Sequence, residues 1–123
     1  MNTVVSGRLG EDLAVRFLLI HGHKLLCRNY RAAGYEIDII TRDADGVLTF
    51  HEVKSVSHEK SKGYRPEELV HHNKMKRIAR AARVYISEHD QFQSFRFSVI
   101  GVVRDDYSRI AKIVYLPKEV LSL

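Results

Sequence analysis

Asp38, Glu52 and Lys54 are the residue types that metal-assisted cleavage of a phosphate ester requires, and local sequence signals bring them together. They lie in residues 36–54, EIDIITRDADGVLTFHEVK. Residues 36–41 and 47–54 alternate and are rich in β-branched types, and Ala44-Asp45-Gly46 between them suits a three-residue hairpin loop with Gly in the left-handed region. If Asp43 and Val47 flank that loop, Asp38 faces Glu52 and Glu36 faces Lys54, all on one face of the hairpin. Opposed Cβ atoms in an antiparallel pair lie about 4.5–5.5 Å apart, close enough for two carboxylates to ligate one hard cation. Bare carboxylates at that range repel, so positive charge is expected between them. Mg²⁺ in such a place supplies Lewis acidity and charge neutralisation. Lys54 could then orient a water or stabilise developing charge, and the carbonyl of Val53 is a further candidate ligand. The plainer alternative is a salt-bridged strand face, with Lys54 pairing with Glu36 or Glu52.

The elements that must hold these residues follow from periodicity. Residues 6–21 read as a first helix, with Ser6 as N-cap and Gly22 just past its end. Leu9, Leu13, Phe17 and Ile20 give its apolar stripe, widened by Ala14 and Leu18, and Glu11 falls at the edge of that face, within reach of the sheet. Residues 24–30 fit a strand, and residues 31–34 turn the chain into the hairpin. The hairpin is expected to place Ile37, Ile39 and Val53 on one face and Ile40, Leu48 and Phe50 on the other, a sheet covered on both sides.

Residues 55–65 read as a loop, Pro66 as the start of a helical turn and Asn73 as a second N-cap. From Met75, Ile78, Ala79, Ala82, Tyr85 and Ile86 recur at helical spacing while Lys76, Arg77, Arg80 and Arg83 project elsewhere. Residues 95–104 and 109–116 are strands separated by a turn at 105–108, and Pro117 is expected to open a short terminal helix. The result is one α/β domain over residues 1–123, a mixed five-stranded sheet flanked by helices in the order α-β-β-β-α-β-β. The helix between the third and fourth strands implies that those two run parallel.

Composition narrows the function classes. Twenty Lys and Arg against fifteen Asp and Glu give a net charge of +5, and a pI near 9.5 favours an anionic partner such as nucleic acid. The lone Cys27 excludes an intrachain disulfide and a cysteine-rich zinc site, and with no secretory signal or long apolar run a cytoplasmic location with no membrane association is expected. His21 with His23, and His71 with His72, lack the helical spacing of zinc ligands. Cys27, Tyr85 and Phe95 read as core residues.

Asp38 followed by Glu52-Val53-Lys54 resembles the PD-(D/E)XK nuclease core. Over nearly the whole chain the sequence resembles the YraN or UPF0102 family, through GRLGEDLA at residues 7–14, Asn29-Tyr30-Arg31, Glu36-Ile37-Asp38, Glu52-Val53-Lys54, the helix from Lys74 and Arg96-Phe97. The resemblance implies a restriction-endonuclease-like core related to Holliday junction resolvases and a Mg²⁺- or Mn²⁺-dependent endonuclease acting on DNA, branched DNA included. Asp38 and Glu52 would be metal ligands and Lys54 the catalytic lysine, with Glu11 a further acid reaching in from the first helix. Arg31, Lys74 and Arg77 are the expected nucleic-acid contacts, and a homodimer is expected by analogy with resolvases. The alternative is a nucleic-acid-binding protein of the same fold with little or no hydrolysis; a purely structural domain would explain the charge but not the acids. The chain departs from the family pattern at four places: Tyr35 where Gly is common, Val56 where a basic residue is frequent, Ser98 where an acid is usual and His51 where an apolar residue is common.

Overall fold

A computed structural model describes residues 3–57, 72–89, 91–92, 94–105, 110–118 and 121–122. The element order is α1 (Thr3–Ile20), β1 (Lys24–Ala32), β2 (Tyr35–Arg42), β3 (Leu48–Ser57), α2 (His72–Glu88), β4 (Ser94–Asp105), β5 (Ile110–Pro117) and β6 (Leu121–Ser122). The five long strands form one mixed sheet in sequential order, with β6 added beside β4. Every neighbouring pair is antiparallel except β3 and β4, which run parallel as the intervening helix requires. This is the expected α-β-β-β-α-β-β architecture, and no described helix is long and apolar enough to cross a membrane.

The two helices pack on two separate cores. Ala14, Val15 and Leu18 of α1 meet Ile39, Ile100 and Val102 in one. Ile78, Ala81, Ala82 and Tyr85 of α2 meet Ile37, Ile40, Leu48 and Phe50 in the other. Tyr85 stands edge-on to Tyr30 and Phe50, with ring centroids 5.2 and 5.9 Å away, so it is a core residue as its spacing indicated. Cys27 and Phe95 are half-buried against the same cluster.

Turn chemistry explains the hairpin register. Gly46 takes φ +86°, the Asp43 amide donates to the Val47 carbonyl, and Asp43 Oδ1 accepts the amides of Asp45 and Val47. The resulting pairs, Arg42 with Leu48 through Ile39 with His51, are those the three-residue loop dictates. Between β1 and β2, Ala33 and Gly34 both have positive φ, 52° and 80°, which matches a two-residue type I′ turn. Gly22, at φ +88°, ends α1 with its amide on Leu19 and the His23 amide on Leu18, a Schellman cap.

Several expectations are corrected. The first helix begins at Thr3, so Ser6 lies inside it and is not its N-cap. Its buried line runs through Ala14 and Leu18, while Leu9 is 40 % and Ile20 78 % exposed. Small size is the cause: a Cβ at Gly10 would collide with Cβ and Oγ of Ser55, so Gly10 lets the helix backbone approach β3 and turns that line toward the sheet. Residues 55–57 continue β3 and are not loop, because their parallel ladder with β4 extends to Ser57 and Arg104. Pro117 ends β5 and opens no helix; the Lys118 amide is held by the Phe97 carbonyl, and Leu121 pairs with Phe95 along β4. The rest of the expected loop, the Pro66 turn and residues 106–108 of the turn expected at 105–108 lie outside the described residues, as does the side chain of Asn73, while Asp105 ends β4.

Candidate active site

The hairpin faces differ from simple alternation at one position, and that position is Asp38. Ile37 shares the α2-side core with Ile40, Leu48 and Phe50, whereas Ile39 lies in the α1-side core with Val53 packed against it. Ile37 and Ile39 are therefore on opposite faces, where a regular strand would put them together. The cause lies across the ladder with β1: Arg28 pairs with Ile39 and Tyr30 with Ile37, while Asn29, opposite Asp38, takes φ +54°. A left-handed residue in β1 changes the facing of side chains there without changing the register, whose one shift lies between Leu25 and Cys27.

The pairing of β2 with β3 also stops at this point. Its last pair is Ile39 with His51, and one residue further on the Val53 amide donates to Asp38 Oδ2 at 2.8 Å. A side chain thus takes a backbone amide at the end of the ladder, fixing the Asp38 carboxyl beside β3. The β3–β4 ladder continues unbroken from Leu48 to Ser57, so Glu52 and Lys54 keep the face of Leu48 and Phe50. Neither of the expected facing pairs, Asp38 with Glu52 or Glu36 with Lys54, is part of the ladder, although the Asp38 and Glu52 carboxyls still interact. Glu36 instead pairs with Arg31 across the first hairpin, Arg31 Nη2 standing 3.0 Å from Glu36 Oε2.

Asp38 and Glu52 act on each other electrostatically. Glu52 is 2 % exposed, and the Asp38 pKa is raised from 3.8 to about 7 by burial first and the Glu52 charge second, against the lowering effect of the Val53 amide. Two carboxyl groups that cannot both ionise freely hold a proton in the place a cation would neutralise. Glu11 adds a smaller negative influence on Asp38, but its carboxylate is taken by Arg28, whose Nε donates to Glu11 Oε1 at 3.0 Å. Arg28 Nη2 also meets Asp12 Oδ1 at 2.7 Å. Among the described residues no set of three or more His, Cys, Asp and Glu side chains gathers as a metal cage.

The comparison with known proteins identifies the family. A family model described as "Uncharacterised protein family UPF0102" matches residues 10–102, which span the acids, the lysine, β1 to β3 and most of β4. The chain belongs to UPF0102. A UPF0102 protein of Chloroherpeton thalassium is 39 % identical over 113 residues, covering 90 % of this chain and 85 % of that one. Another from Chlorobium phaeobacteroides is 44 % identical over 103 residues, with 83 % and 79 % covered. A third, from Dictyoglomus turgidum, is 35 % identical over 119 residues and spans 95 % and 98 % of the two chains.

In this UPF0102 chain His51 and Ser98, two of the positions singled out from the sequence, prove to be partners. His51 Nδ1 is hydrogen-bonded to Ser98 Oγ, and its Nε2 lies 2.8 Å from Thr41 Oγ1, which in turn is 2.7 Å from His23 Nδ1. All of His51, Thr41 and Ser98 are buried, and burial pushes the His51 pKa down from 6.5 to about 3. A neutral imidazole therefore bridges β2, β3 and β4 one residue before Glu52. Sequence spacing gives no sign of this, since His51 and Ser98 meet only through the parallel β3–β4 register. Tyr35 carries the Arg77 guanidinium over its ring at 5.3 Å. The side chains of Val56 and Lys74 lie outside the described residues, although Lys74 is placed on α2.

Proposed function

We propose that this chain is a Mg²⁺-dependent endonuclease that hydrolyses phosphodiester bonds in DNA, branched DNA included, with Mn²⁺ as a substitute. The observation that carries this reading is the Asp38–Glu52 pair: a buried Glu52 beside an Asp38 whose ionisation is opposed by burial and by that neighbour. The donor set fits the ion. Mg²⁺ is bound through oxygen only, commonly by one or two carboxylates with waters and substrate phosphate completing the shell, so a two-acid site with no third side chain suffices. Asp38 and Glu52 would hold it, with the Val53 carbonyl as a further oxygen, and Glu11 would act through its charge while Arg28 retains its carboxylate. The bound ion would supply Lewis acidity and neutralise charge on the phosphate.

The chain's own residues supply orientation. Val53 N–H fixes the Asp38 carboxyl, so that the acid is held before substrate arrives. Lys54, on the same face as Glu52, would orient the attacking water or stabilise charge on the phosphate oxygens. Arg77 and Lys74 on α2, and Arg31 at the first hairpin, would meet the phosphate backbone. The resolvase analogy that pairs two copies on a junction belongs to this proposal as well.

The second reading is a nucleic-acid-binding protein of the same fold with little hydrolysis, and the engagement of Glu11 by Arg28 favours it, because it leaves two acids where the resemblance implies three. Incubating linear duplex, single-stranded and four-way-junction DNA with Mg²⁺ and with wild type, Asp38→Asn or Lys54→Ala separates the two. Cleavage by wild type that each variant lowers by 10²-fold or more supports the nuclease. Salt-sensitive binding with no cleavage in any of the three supports the binder.

A further inference from the structure

We propose that Tyr35 is a positioning residue that fixes Arg77 as a phosphate contact, so that a nucleic-acid strand is gripped on the α2 side of β2, three residues along from Asp38. This rests on the nucleic-acid reading above and names the group that would hold the strand. Three of the described arginines are held by carboxylates. Arg28 is met by Glu11 and Asp12, Arg31 by Glu36 and Arg96 by Asp43. A carboxylate both positions each of these cations and cancels much of its field. Arg77 is positioned differently: its guanidinium carbon lies 5.3 Å from the centre of the Tyr35 ring, and among the described residues no carboxylate pairs with it.

An aromatic face restrains a guanidinium without neutralising it. The ring is itself anchored, since Tyr35 opens β2 and packs against the core that holds Ile37, Ile40 and Phe50. Arg77 is exposed and stands near the beginning of α2. The result is a positive charge on α2, held over the first residue of the strand that carries the site's first acid. Three strand residues from Tyr35 to Asp38 cover about 10 Å, roughly the axial rise of three base pairs of a duplex. A strand whose phosphate sits on the planar guanidinium fork would therefore run toward the carboxylate pair.

The test is a double-mutant cycle on DNA binding, read by fluorescence anisotropy of a labelled duplex in chelator between about 50 and 200 mM salt, where phosphate contacts make affinity strongly salt-dependent. Arg77→Ala should lower the slope of log K against log salt by about 0.9, the share of one phosphate contact on a duplex. Tyr35→Leu should weaken binding by about two- to five-fold, Tyr35→Phe should keep the wild-type affinity, and Tyr35→Leu should add nothing once Arg77 is Ala. Equal losses from Tyr35→Leu in both backgrounds would assign Tyr35 a structural role and overturn the inference. So would an Arg77→Ala slope equal to that of wild type; that exposed helix position decides the matter even if Tyr35→Leu does not fold. Wild type that shows no salt-dependent binding would remove the nucleic-acid reading itself, a result distinct from salt-dependent binding indifferent to Arg77.

Discussion

The Val53 amide donates to the Asp38 carboxylate where the β2–β3 ladder ends. One hydrogen bond therefore closes the ladder and fixes an acid next to Glu52. The opposing Asn29, in the left-handed region, supplies the change of facing that lets Ile37 and Ile39 fill different cores on either side of that acid. Site and fold share this irregularity.

The carboxylate pair should lower stability in the absence of metal. With a folded-state pKa of about 7 against 3.8, Asp38 favours the folded protein at low pH, and that contribution is lost as pH rises from about 4 to about 7. Asp38→Asn removes the charge and keeps an oxygen for the Val53 amide. In chelator at pH 8 it should be more stable than wild type by about 1–3 kcal/mol, each pKa unit being worth about 1.4 kcal/mol, with the gap closing near pH 4. Urea denaturation at the two pH values checks this.

His51 should act in the opposite sense. Its folded-state pKa of about 3 lies below 6.5, so its contribution is complete above about pH 6.5 and is lost as pH falls toward 3. His51→Ala should cost about 2–4 kcal/mol at pH 7, through the cavity and the lost bonds to Thr41 and Ser98, and less at pH 5. In a pH series followed by NMR, the wild-type His51 ring should remain neutral at pH 5, where an ordinary imidazole is protonated.

Gly10 separates helix propensity from packing. Alanine in a helix is favoured over glycine by about 1 kcal/mol. Here the added Cβ would meet the Cβ and Oγ of Ser55, which adjoins Lys54, so Gly10→Ala should destabilise by about 1–3 kcal/mol. Stabilisation on thermal denaturation would contradict the close approach of α1 to β3.

Ala33 carries a positive φ without the freedom of glycine. Left-handed backbone costs an alanine about 1–2 kcal/mol, a cost that Asn tolerates better. Ala33→Asn should therefore raise stability by about 0.5–1 kcal/mol in equilibrium unfolding, with no change in metal or DNA binding.

Much of this architecture was legible in the sequence because the deciding signals were local. Ala44-Asp45-Gly46 specifies its loop and hence the hairpin register, Gly22 marks the end of α1, and helical spacing identifies Ile78, Ala82 and Tyr85 as core. What escaped local reading depends on contacts distant in the chain. The exposure of Leu9 and Ile20 follows from Gly10 meeting Ser55, and Pro117 stays in a strand because β4 offers a pairing edge. The bond from His51 to Ser98 needs the parallel register of β3 on β4. At Asp38 alternation failed because a non-glycine residue in the neighbouring strand takes a positive φ, which no periodicity reveals.

The central claim is that Asp38 and Glu52 form a divalent-cation site, and calorimetric titration with Mg²⁺ and Mn²⁺ tests it most directly. Wild type should bind either ion and release protons on binding near pH 7, where Asp38 is half protonated, while Asp38→Asn should lose the site with its fold intact. Absence of binding in wild type, or equal binding in wild type and Asp38→Asn, would contradict the account.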